Sequence, residues 1–323
     1  MAVNWKCEKE RVTEMTNSKD YWGKYYNFWD EFVGRWLAER KTEAPLDEVS
    51  LAYQQACNGV DFDILPTPYL GKPSDGVDAV FLNMNPGLSE IGKRGPYKRK
   101  LLDDTQRFSL LGNPDGWLIQ KFICEARESY RRFIDKWSCL NPDLRDYDPQ
   151  VCGVDWWQGL NPRKVGGRAA WLQRIYDNCN MSPSRVFAVE LCPYHSKKWN
   201  AAHLDECLLP FICEHVIDPA CVAVHQNRLP FAVAIGKVFV DLLVSLGANM
   251  EHEWSYKDPM LGWPQNSKGN PTVRVYRMYA IQMRDGQTTR FLVTWARANS
   301  NPPPSPHFGA IERNIRLFAG VKG

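Results

Sequence analysis

No two cysteines of this chain stand in a Cys-x2-Cys pair. The ten cysteines run singly from Cys7 to Cys221, and their spacing offers no iron–sulfur site. Reduced, mostly buried thiols are the expectation, as in a cytosolic protein. No apolar run in the sequence approaches the twenty or so residues that a membrane span requires. Residues 1–19 are polar and lack the apolar core of a signal peptide. The expected location is therefore the cytoplasm, with no membrane partner. Charge of one sign is also scarce: the net charge is +3, so bulk charge alone does not argue for nucleic acid. There is no internal repeat and no low-complexity tract. What is present is ordinary for a folded protein, with 44% hydrophobic and 24% charged residues. The 323 residues suffice for one large α/β domain, or for one domain with extensions.

Along the chain, Trp22, Tyr25, Trp29, Phe32, Val33 and Trp36 recur at spacings of three and four, which predicts an amphipathic helix over 18–41. Pro45 bounds it, and a second helix is expected over 46–58. Residues 1–63 are read as an N-terminal helical extension packed on the core, and 64–323 as the main α/β domain. Residues 61–74, with Pro66, Pro68 and Pro73, read as an irregular entry. Strands are expected at 78–84, 186–191, 231–235 and 289–295. Helices are expected at 118–137, 168–178, 201–217 and 238–246, and from 308 onward. Residues 249–288 read as a β-rich excursion with turns. Strands alternating with helices predict a central, mostly parallel sheet with helices on both faces.

The most informative stretch is Phe81-Leu82-Asn83-Met84-Asn85-Pro86-Gly87-Leu88. A buried-strand run ends in a Pro-Gly turn, which sets Asn85 at the mouth of a strand. Ligands of open α/β sheets bind outside the carboxyl ends of the strands. An Asn there can hold a water or a carbonyl but cannot act as a strong base. Lys93-Arg94-Gly95-Pro96-Tyr97-Lys98-Arg99-Lys100 surrounds one aromatic residue with five basic ones, a reasonable phosphate-contact loop. Glu190 ends the second strand and is followed by Leu191-Cys192-Pro193-Tyr194-His195-Ser196-Lys197-Lys198. Gly236-Lys237 joins the third strand to a helix. A phosphate loop would need a longer glycine-rich segment.

Asn85-Pro86-Gly87-Leu88 resembles the first motif of the uracil-DNA glycosylase superfamily, in the form used by its mismatch-specific and thymine-DNA branches. The strand–Gly236-Lys237–helix unit is similar to the corresponding piece of that fold. Asn83 stands where the family usually has Gly. The resemblance implies a uracil-DNA glycosylase-like α/β fold and a monofunctional DNA glycosylase. Such an enzyme flips out a base and hydrolyses its N-glycosidic bond through an oxocarbenium-like sugar, leaving an abasic site. On that resemblance Asn85 orients the water, and Tyr97 stacks on the flipped base. Glu190 takes the position that reads the base edge, flanked by Met84 and Tyr194. The family's last motif, His-Pro-Ser or Asn-Pro-Ser, is matched only loosely by Arg297-Ala298-Asn299-Ser300-Asn301-Pro302-Pro303-Pro304-Ser305-Pro306. Arg297 or Asn301 would stand in for the usual His that stabilises the leaving base, and the loop through His307 would wedge into the duplex. His195 either hydrogen-bonds the leaving base or a phosphate, or is structural.

Lys93, Arg94, Lys98, Arg99, Lys197, Lys198, Asn301, Ser305 and His307 are the candidate DNA contacts. A Glu at the reading position accepts from the exocyclic amine of cytosine and repels the O4 of uracil. With the chain's length and its thirteen tryptophans, this resembles family members that excise α-glucosylated hydroxymethylcytosine from phage DNA in bacterial defence. The implied partner is modified double-stranded DNA, with no metal or other cofactor and a monomeric protein. A uracil or mismatched-thymine repair glycosylase and a non-catalytic DNA-binding protein of the same fold are the competing readings.

Overall fold

The structure, a computed structural model, describes residues 18–42, 47–62, 66–84, 128–132, 185–199, 204–256, 274–283 and 286–296. The helices expected at 168–178 and from 308, most of that at 118–137, and the basic loop at 87–100 lie outside the described residues.

Helix α1, Ser18–Thr42, forms where the three-and-four spacing places it. Its stripe of Trp22, Tyr25, Tyr26, Trp29, Phe32, Val33 and Trp36 is buried, as an amphipathic helix requires. The Trp22 and Tyr25 rings pack edge-on against Phe187 at 5.6 and 6.1 Å. Helix α2 is Glu48–Ala56. The Asp47 side chain caps it by accepting from Ser50 N at 2.7 Å. The chain then becomes extended at once as strand β1, Cys57–Asp61. The N-terminal part is therefore not purely helical, and its side chains join the main hydrophobic core.

Strand β2 is Tyr69–Leu70, β3 is Ala79–Asn83, β4 is Val186–Glu190 and β5 is His195–Trp199. Helix α3 runs from Leu208 to Gln226. Strand β6, Ala232–Ile235, and helix α4, Val238–Ser245, follow. Strands β7, Asn249–Tyr256, β8, Arg274–Gln282, and β9, Thr288–Ala296, complete the described elements. Seven strands form one sheet in the order β2-β4-β3-β6-β9-β8-β7, and β1 and β5 form a separate pair. Strands β4, β3, β6 and β9 are mutually parallel, while β2, β8 and β7 join antiparallel. All residues of β3, β4 and β6 are buried. Uninterrupted apolar runs such as Ala79-Val80-Phe81-Leu82 are what strands covered on both faces require.

The register assigns the faces, because paired residues point their side chains the same way. Phe187, which takes the α1 rings, shares its face with Val80. Thr289 lies on that face too, and its Oγ1 stands 2.6 Å from His225 Nε2 of α3. Helices α1 and α3 thus cover one face, and Trp22 Nε1 donates to Gln226 Oε1 between them. The opposite face carries Phe81, Asn83, Ala188, Glu190, Val233, Ile235, Leu292 and Thr294, all buried as well.

Helix α3 contains one π turn, Cys213–Ile217. Pro219 has no N–H to give the His215 carbonyl, and the helix absorbs the missing bond as a wider turn. His215 there stacks flat on Phe28, ring centroids 3.6 Å apart. With a mean hydropathy of 1.3, α3 has the length and composition of a membrane span, and 61% of that stretch is buried inside the protein, as in a core helix. Leu208, Ile212, Val216, Ile217, Ala220, Cys221 and Ala223 supply that buried side.

Candidate functional site

The chain passes from β3 to β4 on one side, and from β6 to β9 on the other. Successive connections therefore diverge between β3 and β6, and the crevice outside their carboxyl ends is where an open sheet binds ligands. Asn83 and Met84 stand at one lip, Gly236 and Lys237 at the other. The backbone is zipped across this edge: Leu191 N donates to Asn83 O at 2.8 Å, Cys192 N to Met84 O at 3.0 Å, and Gly236 N to Thr294 O at 3.0 Å. Gly236 has φ 133°, a conformation closed to most side chains. A Cβ there would lie 2.6 Å from Met84 Sδ, so the half-buried Met84 side chain reaches across the crevice onto this glycine.

Glu190 and Asn83 are register partners on β4 and β3. Asn83 Nδ2 donates to Glu190 Oε1 at 3.1 Å, and both side chains are buried. The bond explains why two polar groups are tolerated at the end of apolar strands, since a buried polar group needs a partner. The partner seen for Glu190 is thus an amide from the neighbouring strand. The same cross-strand row continues on the same face through Ile235 and Thr294 to Tyr276 and Trp254.

His195 and Tyr194 lie elsewhere. Beyond Glu190 the chain enters four buried residues and turns away into β5, which pairs with β1. His195 has no exposed surface, and its Nε2 stands 3.1 Å from Thr67 Oγ1. The Tyr194 hydroxyl is 2.7 Å from Ser50 Oγ, and its ring packs edge-on against Phe62 at 4.8 Å. Tyr53 donates its hydroxyl to Leu191 O at 2.7 Å, and Thr67 N donates to Pro193 O at 2.8 Å. These contacts fasten the N-terminal segment to the ends of the sheet strands. Both side chains are enclosed, which favours the structural alternative for His195 over a hydrogen bond to the leaving base or a phosphate, and gives Tyr194 a packing role in place of the base contact expected of it. Lys197 and Lys198 belong to the β5 backbone, with Lys198 opposite Asn58.

The thiols of Cys57 and Cys192 lie together beneath this segment. Burial pushes Cys192 well above the usual thiol range, while a hydrogen bond from Cys192 lowers Cys57. Both are free of disulfides, as is Cys207. Among the described residues no cluster of His, Cys, Asp or Glu could hold a metal ion. Trp22, Trp29 and Trp36 fill the helix–sheet core, so they do not line a ligand pocket, and the tryptophan count loses that part of its weight.

Asn85, Tyr97, Lys93, Arg94, Lys98, Arg99, Arg297, Asn301, Ser305 and His307 lie outside the described residues. Asn85 follows β3 by two positions, and Arg297 follows β9 directly. Sequence reasoning treated Asn83 only as a departure from a motif and passed over Thr294. The signal available for Asn83 was a single polar residue closing an apolar strand, as Glu190 also does, whereas Thr294 lies inside β9, two residues before its end, and carries no such mark. Comparison of the chain with protein-family models, with curated proteins and with solved structures finds no match.

Proposed function

We propose that this protein is a monofunctional DNA glycosylase that removes a modified cytosine, glucosylated hydroxymethylcytosine of phage DNA, and leaves an abasic site. The observation that carries this reading is the Asn83–Glu190 hydrogen bond. Two of the positions at which the chain differs from the glycosylase pattern touch each other, at the carboxyl edge where that family works. Loss of function would leave two unrelated changes, whereas a paired change builds an oriented carboxyl. A carboxylate held in this way accepts a hydrogen bond from the exocyclic amine of a cytosine, and the carbonyl of uracil or thymine offers it no donor.

The rest of the mechanism follows the resemblance. Asn85 holds the attacking water, which captures the electron-poor sugar as the C–N bond breaks. Tyr97 stacks on the extruded base, worth about 1–3 kcal/mol. Arg297 or Asn301 stabilises the departing base, and Lys93, Arg94, Lys98 and Arg99 hold phosphates. The motifs place no lysine to form a Schiff base, so an intact strand is the expected product, with Lys197 the lysine to watch.

The test is incubation of the purified protein with unmodified, uracil-containing, hydroxymethylated and glucosyl-hydroxymethylated genomic DNA, with abasic sites counted by an aldehyde-reactive probe. Sites in the glucosylated DNA, abolished by Asn85→Ala, are expected. Release from uracil DNA alone would make the protein a repair enzyme, and binding without release from any DNA would make it a non-catalytic DNA-binding protein.

A further inference from the structure

Thr294 stands in the cross-strand row that begins at Glu190 and Asn83. It has no exposed surface, and its Oγ1 is buried without a hydrogen-bond partner. Native folds rarely leave a hydroxyl in that state, and a group that stays orphaned points to something missing beside it. Its place is specific. Thr294 pairs with Ile235, which follows the residue opposite Leu82, so Thr294, Ile235, Asn83 and Glu190 lie in one line on one face. Strands are spaced by about 4.8 Å, which puts Thr294 about 10 Å from Asn83 and about 14 Å from Glu190 along the row. Ile235 is the apolar floor between the two polar ends. Beyond Thr294 the row carries two aromatic residues, buried Tyr276 and half-buried Trp254.

We infer that Thr294 is a specificity-determining contact for the hydroxyl-bearing substituent on the cytosine ring, at the end of the site opposite the Asn83–Glu190 pair. The inference rests on the proposed glycosylase reading. On a cytosine, position 5 adjoins the carbon that carries the exocyclic amine. A 5-substituent therefore leaves the ring on the side next to the amine that meets Glu190, and a hydroxymethyl group extended by a sugar is long enough to turn along the row towards Thr294. A hydroxyl both donates and accepts, so the Thr294 side chain suits a sugar hydroxyl, and aromatic surface beside it suits the apolar face of a sugar ring.

Wild type, Thr294→Val and Thr294→Ser are compared for base release from glucosyl-hydroxymethylated DNA and for thermal midpoint. Valine keeps the shape and removes an unpartnered buried hydroxyl, so its midpoint should equal or exceed that of wild type, while its kcat/KM falls about tenfold. Serine, which keeps the hydroxyl, should stay within about threefold of wild type. Unchanged release by the valine variant overturns the inference and leaves the glycosylase reading standing. So does a parallel loss of midpoint and activity, which marks a structural residue, or equal impairment of the serine and valine variants. A wild-type protein that releases nothing from this DNA removes the glycosylase reading, and this inference with it.

Discussion

Replacing Asn83 with Ala tests the pair at the sheet edge. Asn83 Nδ2 gives Glu190 Oε1 a hydrogen bond of 3.1 Å, and both side chains are buried. Alanine withdraws that donor from an enclosed carboxyl oxygen, which costs about 1–3 kcal/mol. Unfolding entropy of about 2.1 cal/mol/K per residue, over 323 residues, amounts to about 0.7 kcal/mol/K. The thermal midpoint should therefore fall by about 1.5–4.5 °C, read by calorimetry. Glu190→Gln separates charge from bonding, because its side-chain oxygen still accepts from Asn83. It should shift the midpoint by less than Asn83→Ala and still lose release of the modified base. The double variant should be less destabilised than the sum of the two alanine substitutions at these positions, since residues in contact are coupled. An Asn83→Ala protein with the wild-type midpoint, or strict additivity in the Asn83→Ala and Glu190→Ala cycle, would refute the claim that this bond holds the carboxyl in place.

Gly236→Ala should cost about 1–3 kcal/mol, because alanine is strained at φ 133° and its Cβ would press on Met84 Sδ. Adding Met84→Ala should recover only the steric part, and a Gly236→Ala protein as stable as wild type in urea unfolding would contradict this. Burial raises the phenols of Tyr25, Tyr53 and Tyr130 well above their usual value. Above about pH 10 the unfolded chain sheds protons that the folded chain keeps, so stability is full below that pH. It falls as pH rises further, by up to about 1.4 kcal/mol per pH unit for each phenol. Tyr53→Phe should flatten that slope, and a midpoint independent of pH in the alkaline range would refute the burial argument.

Much of the scaffold was readable in the chain. The stripe from Trp22 to Trp36 produced α1 within a residue of its expected end. The apolar runs before Asn83, Glu190 and Gly236 produced β3, β4 and β6 close to their expected bounds. These signals are local, since side-chain periodicity reports which face of an element is buried. Strand β1 was missed because Cys57-Asn58-Gly59-Val60-Asp61 has neither an apolar run nor clear alternation. Only pairing with β5 makes it a strand, which is tertiary context overriding propensity.

The candidate site divides in the same way. The sequence by itself determined the residue types at the strand ends, the resemblance carried by Asn85-Pro86-Gly87-Leu88, and the order of strands and helices that builds a parallel sheet. It did not determine which strand ends meet. Asn83 and Glu190 are 107 positions apart, and parallel neighbours are set by long crossover connections rather than by any local pattern. Only the tertiary structure joined that pair and aligned Thr294 with it across Ile235. It also enclosed His195 and Tyr194 against Thr67 and Ser50. Burial and register depend on what packs beside a residue, and that information is spread over the whole chain.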